Sequence, residues 1–178
     1  MSTPMASPVI EPVIQTERLI PRRPAERDGD AYARFFVAGR GKYMGEPEVD
    51  YRGGWKNFYS EIGHWDVRGY GMFAVTRKGD DSAIGLVGPW YPHTWPASEI
   101  GWMLFEGFEG QGYATEAARA SRDWAYSALG WDGAVSFIDP ENTPSIRVAE
   151  RVGARLDPDA EGLVPSDLVY RHPGPEGR

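Results

Sequence analysis

The stretch that most constrains the fold runs from Glu99 to Ala128. Its first part, Glu99–Phe105 (EIGWMLF), is an apolar run of strand length, expected near the middle of a sheet. It leads into Glu106-Gly107-Phe108-Glu109-Gly110-Gln111-Gly112, where three glycines allow a sharp turn and the close approach of a ligand. A helix is expected next. Ala114, Ala117, Ala118, Ser121, Ala125 and Ala128 give it a face of small residues that packs closely on a sheet, and Leu129 and Gly130 close it. Strand, glycine turn and helix in this order leave free N–H groups and the positive end of a helix dipole at the turn. Both favour a phosphate.

Three phosphate-binding readings compete. A nucleotide P-loop requires Gly-Lys-Ser/Thr, but Gly112 is followed by Tyr113. A dinucleotide fingerprint needs a third small residue where Thr115 stands. Asp132, at the right distance for its acidic partner, begins a strand rather than ending one. A turn that holds the pyrophosphate of an acyl donor is the third.

The rest of the chain supplies a mixed α/β pattern. Thr16–Arg23 opens with a short strand. Asp28 or Asp30 caps a helix carrying Tyr32, Phe35 and Phe36, ended by Gly39. Trp55, Phe58, Tyr59 and Ile62 share one helical face. Met72–Arg77 and Ala83–Val87 read as strands joined by a turn at Lys78-Gly79-Asp80-Asp81, and Trp90–Pro96 as an aromatic loop. Ala134–Ile138 is a further strand. Thr143 caps a helix with Pro144 at its first position, running to Gly153, and Leu163–Arg171 is a last strand. The expected organisation is a flexible arm over residues 1–12, one domain over 13–172 and a flexible tail over 173–178.

Composition narrows the function. Of 178 residues, 41% are hydrophobic, enough for a core. The net charge of −7 argues against nucleic-acid partners. With no cysteine, disulfide scaffolds, thiolate metal sites and a cysteine nucleophile are excluded, and no metal is expected. Met1–Glu11 lacks the pattern of a signal peptide, and no stretch approaches the roughly 18 apolar residues of a membrane span, so a cytoplasmic protein without a membrane partner is expected.

The run EIGWMLFEGFEGQGYATEAARA, followed by DPENTPSIRVAERVGA, resembles the GNAT superfamily of N-acetyltransferases. It looks closest to the branch of ribosomal-protein N-terminal (RimJ/RimL-like) acetyltransferases, whose first strand TERLIPRR also resembles. The similarity spans Thr16 to about Tyr170. The resemblance implies the GNAT acyl-CoA N-acyltransferase fold: a twisted, mostly antiparallel sheet of six to seven strands with about four helices. It also implies acetyl-CoA as donor and an amine as acceptor, the amine being a small molecule or a protein N-terminus, in a monomer or homodimer. The family's pyrophosphate motif, Gln/Arg-x-x-Gly-x-Gly/Ala, falls on Glu109, Gly112 and Ala114. Glu109 departs from it, so the phosphates are expected to be held by backbone N–H groups of Glu109, Gly110, Gln111, Gly112, Tyr113, Ala114 and Thr115. The second motif falls on Asn142 and Ser145. Trp102, Met103 and Leu104 lie on the strand that pairs with pantetheine in the family, and an N–H near Met103 or Leu104 would polarise the thioester carbonyl.

Direct attack by the amine in a ternary complex is the simplest scheme for a chain without cysteine. Ser145 is the proton donor implied for the leaving thiolate. It can equally be a residue of the helix start alone. Many relatives use a tyrosine for this step, but the tyrosines here are poorly placed. Glu99 is the leading candidate base, directed to the cleft if Ile100 faces the core, although it can also simply mark the polar end of a strand. His93 is the second candidate base. Trp55, Tyr59, Trp90, Tyr91 and Trp95 are candidates to line the acceptor pocket, where aromatic walls suit a flat, apolar or cationic acceptor. The helical stripe of Trp55, Phe58, Tyr59 and Ile62 reads better as core. The alternative to an enzyme is a non-catalytic acyl-CoA-binding or regulatory module of the same fold.

Overall fold

The computed structural model describes residues 14–45 and 48–177; the expected arm over residues 1–12 lies outside them. The described residues include seven strands: β1 (Leu19–Arg22), β2 (Phe73–Arg77), β3 (Asp80–Trp90), β4 (Glu99–Leu104), β5 (Val135–Ile138), β6 (Arg155–Leu156) and β7 (Leu168–Arg171). They form one sheet in the order β1-β2-β3-β4-β5-β7-β6. Four α-helices accompany them: α1 (Gly29–Val37), α2 (Tyr51–Arg68), α3 (Tyr113–Ala128) and α4 (Thr143–Arg151). Neighbouring strands are antiparallel except β4 and β5.

The alternation of β4 sorts the two faces of the sheet. Ile100 is fully buried with Ala117, Ala118, Ala125 and Ala149, so this face carries α3 and α4, and Trp102 packs against the same cluster. Met103 joins Tyr32, Phe35, Phe36 and Phe58 of α1 and α2 on the opposite face. Glu99 and Gly101 share parity with Met103 and so face α1 and α2. The small-residue face of α3 is buried on the sheet as expected, which lets the helix sit close.

Helices α1 and α2 pack through a close crossing. A Cβ on Gly54 would lie 2.7 Å from Ala33 Cα, so only glycine fits there. The buried face of α2 is Gly54, Phe58, Glu61, His64 and Trp65, rotated from the stripe expected in the sequence. Tyr59 is therefore 61% exposed, while Trp55 and Ile62 stay partly buried at the edge of the cluster that Phe58 joins, Trp55 also lying against Gly29. Helix crossing, not the count of aromatics, decides which side of α2 is buried.

Several boundaries differ from expectation. The β2–β3 ladder closes at Arg77↔Asp80, leaving a two-residue turn, Lys78-Gly79. Asp28 precedes α1 without capping it; its buried carboxylate takes the Ala25 N–H and two bonds from Arg22 instead. Helix α4 is capped by Asn142, one residue before the expected Thr143. The last strand is only Leu168–Arg171, because the Asp167 carboxylate accepts the N–H groups of Leu163 and Val164 and holds residues 163–167 in a turn. Pro175–Gly177 forms a 3-10 turn, and Tyr126 Oη donates to Pro173 O.

Candidate active site

β4 and β5 share one registered pair, Glu99↔Val135, and then part. Beyond that pair the Ser136 hydroxyl donates to Ile100 O at 2.7 Å, a side chain standing in for ladder pairing. Because that hydroxyl has only one proton, the His172 Nε2 at 2.9 Å must be the donor of their shared bond. Burial holds His172 far below the usual histidine range, at about 3, so it is a neutral strut. A cavity of about 450 Å³ opens between the parted strands, lined from β4 by Glu99–Trp102 and from β5 by Ser136–Ile138. Asn142 and Ser145 close one side of it, and Glu61 of α2 the other.

Each parted strand runs into a helix start. The turn after β4 bends through Gly110 (φ 74°) and Gly112 (φ 82°), conformations that L side chains rarely adopt. Gly112 is the N-cap of α3 and brings no side chain to cap it, so the first-turn N–H groups of Tyr113, Ala114 and Thr115 are left to another acceptor. Side chains brace the turn from behind. Arg18 Nη1 donates to Gln111 O at 3.0 Å, its guanidinium lies 4.6 Å from the Tyr113 ring centroid, and its Nε bonds Glu116 at 2.7 Å. Gln111 Nε2 donates to Gly107 O, and Glu109 accepts the Gly107 N–H at 2.9 Å. Glu109 is also ion-paired with Arg40. The carboxylate that departs from the family motif is thus occupied by its own loop and by a cation. Arg18 was missed in the sequence because it is 93 residues from the turn it braces.

The start of α4 is built differently. Asn142 Oδ1 accepts the Ser145 N–H at 3.3 Å, so this helix caps itself. The Ser145 hydroxyl points back to β4 and accepts from Trp102 Nε1 at 3.2 Å. Trp102 and Ser145 are therefore brought together. The Met103 side chain is core, while Leu104 offers its carbonyl to Arg40 at 3.4 Å.

The opposite end of the cavity holds two carboxylates. Glu99 accepts from Trp95 Nε1 at 2.8 Å. Burial pushes its carboxyl up to about 7, against the opposing hydrogen bonds from Trp95 and the Phe137 backbone and with some help from the charge of Asp167. Glu61 is 5% exposed and was absent from the sequence reading. Burial pushes it up to about 8; the Tyr32 hydroxyl, 3.2 Å away, opposes this and the charge of Glu99 adds to it. No local pattern marks Glu61 as special: it is one acid on an amphipathic helix until the crossing with α1 turns it inward.

Of the aromatic residues expected at the acceptor side, Trp90 and Trp95 line the cavity, and Trp55, Tyr59 and Tyr91 do not. Tyr91 instead fixes a neighbour: its N–H donates to His64 Nε2 at 3.1 Å. His64 Nδ1 must then carry the proton that it donates to Tyr70 O at 2.7 Å. Burial lowers the pKa of His64, which keeps it neutral, and its ring stacks on Trp90 at 4.2 Å. His93 is exposed in its loop and does not line this cavity.

Comparison with known proteins agrees with this architecture. The family described as "Acetyltransferase (GNAT) domain" matches residues 18–155. An acetyltransferase from Agrobacterium tumefaciens str. C58 superposes with a TM-score of 0.84 at 39% identity, over 91% of this chain and 94% of that one. A GNAT-family acetyltransferase from Bacillus anthracis gives a TM-score of 0.73 at 24% identity, covering 90% and 96%. The ribosomal L7/L12 alpha-N-protein acetyltransferase RimL, solved with coenzyme A, shares the fold with a TM-score of 0.69 at 20% identity, covering 90% and 95%. Among curated sequences, the uncharacterised N-acetyltransferase YnaD of Bacillus subtilis is 32% identical over 89 residues, 48% of this chain and 50% of that protein. YkkB of the same organism is 35% identical over 97 residues, 51% and 56%. The chain thus spans about half the length of the curated relatives it matches. No described helix is long and apolar enough to cross a membrane. The family match over most of the chain and the close superposition on the Agrobacterium enzyme together place this chain in the GNAT acetyltransferase family.

Proposed function

We propose that this protein is a cytoplasmic enzyme that transfers the acetyl group of acetyl-CoA to an amine, by direct attack in a ternary complex. The observation that carries the reading is a pair of features at the two ends of one strand–turn–helix unit. The turn after β4 leads to the uncapped start of α3 at Gly110–Thr115. Glu99, at the start of β4, lines the cavity with its carboxyl pushed up to about 7. The first suits a pyrophosphate and the second suits proton removal from an ammonium near pH 7.

In this scheme the phosphates lie on the N–H groups of residues 109–115, with Asn142 and Ser145 beside them, and the pantetheine arm follows Trp102–Leu104 between β4 and β5. A β4 N–H near Met103 or Leu104 polarises the thioester carbonyl. Glu99 takes the proton of the ammonium, directly or through a water. The nitrogen lone pair forms the C–N bond, the C–S bond breaks, and the thiolate takes a proton from Ser145, which recovers one from the nitrogen as that atom sheds its second proton to become the amide. Trp102, donating to Ser145 Oγ, orients that hydroxyl. The acceptor is a small-molecule amine or a protein N-terminus, as in the ribosomal-protein branch the motifs resemble, and Trp90 and Trp95 form its aromatic wall.

The test has two steps. Acetyl-CoA should raise the melting temperature where ATP and NAD do not. Thiol release should then appear with an amine from a broad panel, and Ser145→Ala should reduce turnover by about 100-fold with little change in acetyl-CoA binding. Stabilisation by NAD or ATP alone overturns the donor assignment. Donor binding without turnover across the panel points to an acyl-CoA-binding module.

A further inference from the structure

The acceptor end of the cavity contains a carboxylate oxygen with nothing to do. Glu61 Oε2 is buried and has no hydrogen-bond partner, while Oε1 accepts from Tyr32. Neither Glu61 nor Glu99 takes part in an ion pair among the described residues. A buried carboxylate without a partner is costly, so without a ligand Glu61 keeps its own proton near pH 7, and a cation that supplies the missing donor takes that proton's place. The lining of the cavity says what that donor is. Tyr32, Phe36, Met72, Trp90 and Trp95 make its walls apolar and mostly aromatic. The acids lining it are Glu61, Glu99, Asp139 and Asp167, and Lys42 is the only basic residue described there. A ligand bearing its own carboxylate would meet like charge, whereas an ammonium on an apolar body would meet acids and ring faces.

We propose that Glu61 determines acceptor specificity: its free carboxylate oxygen accepts a hydrogen bond from the ammonium of a small primary amine with an apolar or aromatic body and no carboxylate. This rests on the acetyl-transfer reading above and names its substrate class. Glu61 holds the nitrogen while Glu99 removes one of its protons. The freed lone pair then forms the amide as the thioester C–S bond breaks. Cation and acid stabilise each other, so binding the ammonium also relieves the repulsion between Glu61 and Glu99.

The probes are 2-phenylethylamine, its neutral isostere 2-phenylethanol and its carboxylated counterpart phenylalanine, titrated calorimetrically into the coenzyme A-loaded protein. The amine should bind at least tenfold more tightly than either comparison compound. Glu61→Gln, which preserves the side-chain shape and the Tyr32 hydrogen bond, should remove most of that preference while leaving coenzyme A affinity within twofold. Its melting temperature at pH 7 should be no lower than that of the wild type, which keeps a folding defect apart from a binding one. Equal binding of amine and alcohol, preference for phenylalanine, or an unchanged preference in Glu61→Gln overturns the proposal. A thiol-release assay separates the two readings. Amine binding without thiol release would defeat acetyl transfer and keep the cation site. Turnover of peptides or amino acids without amine preference would do the reverse.

Discussion

The two parts of the proposed site are made of different material. The proposed donor end is backbone: a loop turning through Gly110 and Gly112, open N–H groups at the start of α3, and side chains that brace from behind. The acceptor end is side chain: Glu61, Glu99, Trp90 and Trp95, brought together from α2, β3, β4 and the loop between those strands. A backbone site has no titrating group and tolerates change in its side chains, as Glu109 shows by pairing with Arg40. A side-chain site titrates and depends on single residues. Changes at the acceptor end should therefore alter rate and pH response, and changes at the donor end should alter acetyl-CoA affinity and stability.

The largest effect is expected at Glu99. Glu99→Gln should lower kcat by about 100- to 1,000-fold, the range for losing a general base. In the wild type, kcat/KM should rise about tenfold per pH unit below pH 7 and level off above it, because the carboxyl must lose its proton near 7 to act. The variant should lack that limb. A rate profile unchanged in shape would assign the limb to the acceptor, and Glu99 would be only the polar start of a strand.

Glu61 should show the same character in stability. Its folded pKa is raised to about 8, so the folded state binds this proton more tightly than the unfolded state. The contribution is fully present below the ordinary glutamate value of 4.5 and is lost as pH rises through about 8. Between pH 4.5 and 7 this amounts to about 3 kcal/mol of pH-dependent stability, at roughly 1.4 kcal/mol per unit. Thermal melts at pH 5, 6, 7 and 8 should show a decline in the wild type that is much flatter in Glu61→Gln. Parallel curves would mean that Glu61 is solvated.

At the donor end, Gly112→Ala forces an L side chain into a left-handed conformation, at a cost of about 1–2 kcal/mol. The new Cβ would stand 3.4 Å from Arg18 Nη2, the cation that braces the turn. The KM for acetyl-CoA should rise several-fold while the pH profile stays as in the wild type. A shifted pH profile would show the two ends to be coupled.

The same division explains what was legible in the sequence. Gly110, Gly112 and the alanines of α3 announce themselves because a turn and a close helix–sheet contact restrict residue type within a short window. The order of strands and helices and the fold class follow from such windows. Glu61 could not be read that way. Its role comes from the Gly54–Ala33 crossing, which rotates α2 and buries Phe58, Glu61 and Trp65 in place of the aromatic stripe through Trp55 and Tyr59. Arg18 is likewise a long-range contact. Trp90 and Trp95 were legible as a group but not singly: Tyr91, between them, turns its N–H to His64 and stays out of the cavity lining.

The smallest effect tests a side chain at the donor end whose visible role is to cap a helix. Asn142 matches the family's second motif, yet its Oδ1 accepts the Ser145 N–H and so caps α4. Losing an N-cap costs about 1 kcal/mol, which in a chain of this size lowers the melting temperature by roughly 2–4 °C. Asn142→Ala should show that loss, and Asn142→Ser, an equally good and uncharged cap, should not. If capping is its whole contribution, the KM for acetyl-CoA should stay within about twofold in Asn142→Ser. A large rise in KM without a change in melting temperature would instead make Asn142 a donor ligand, and the side-chain-poor description of that end would have to include it.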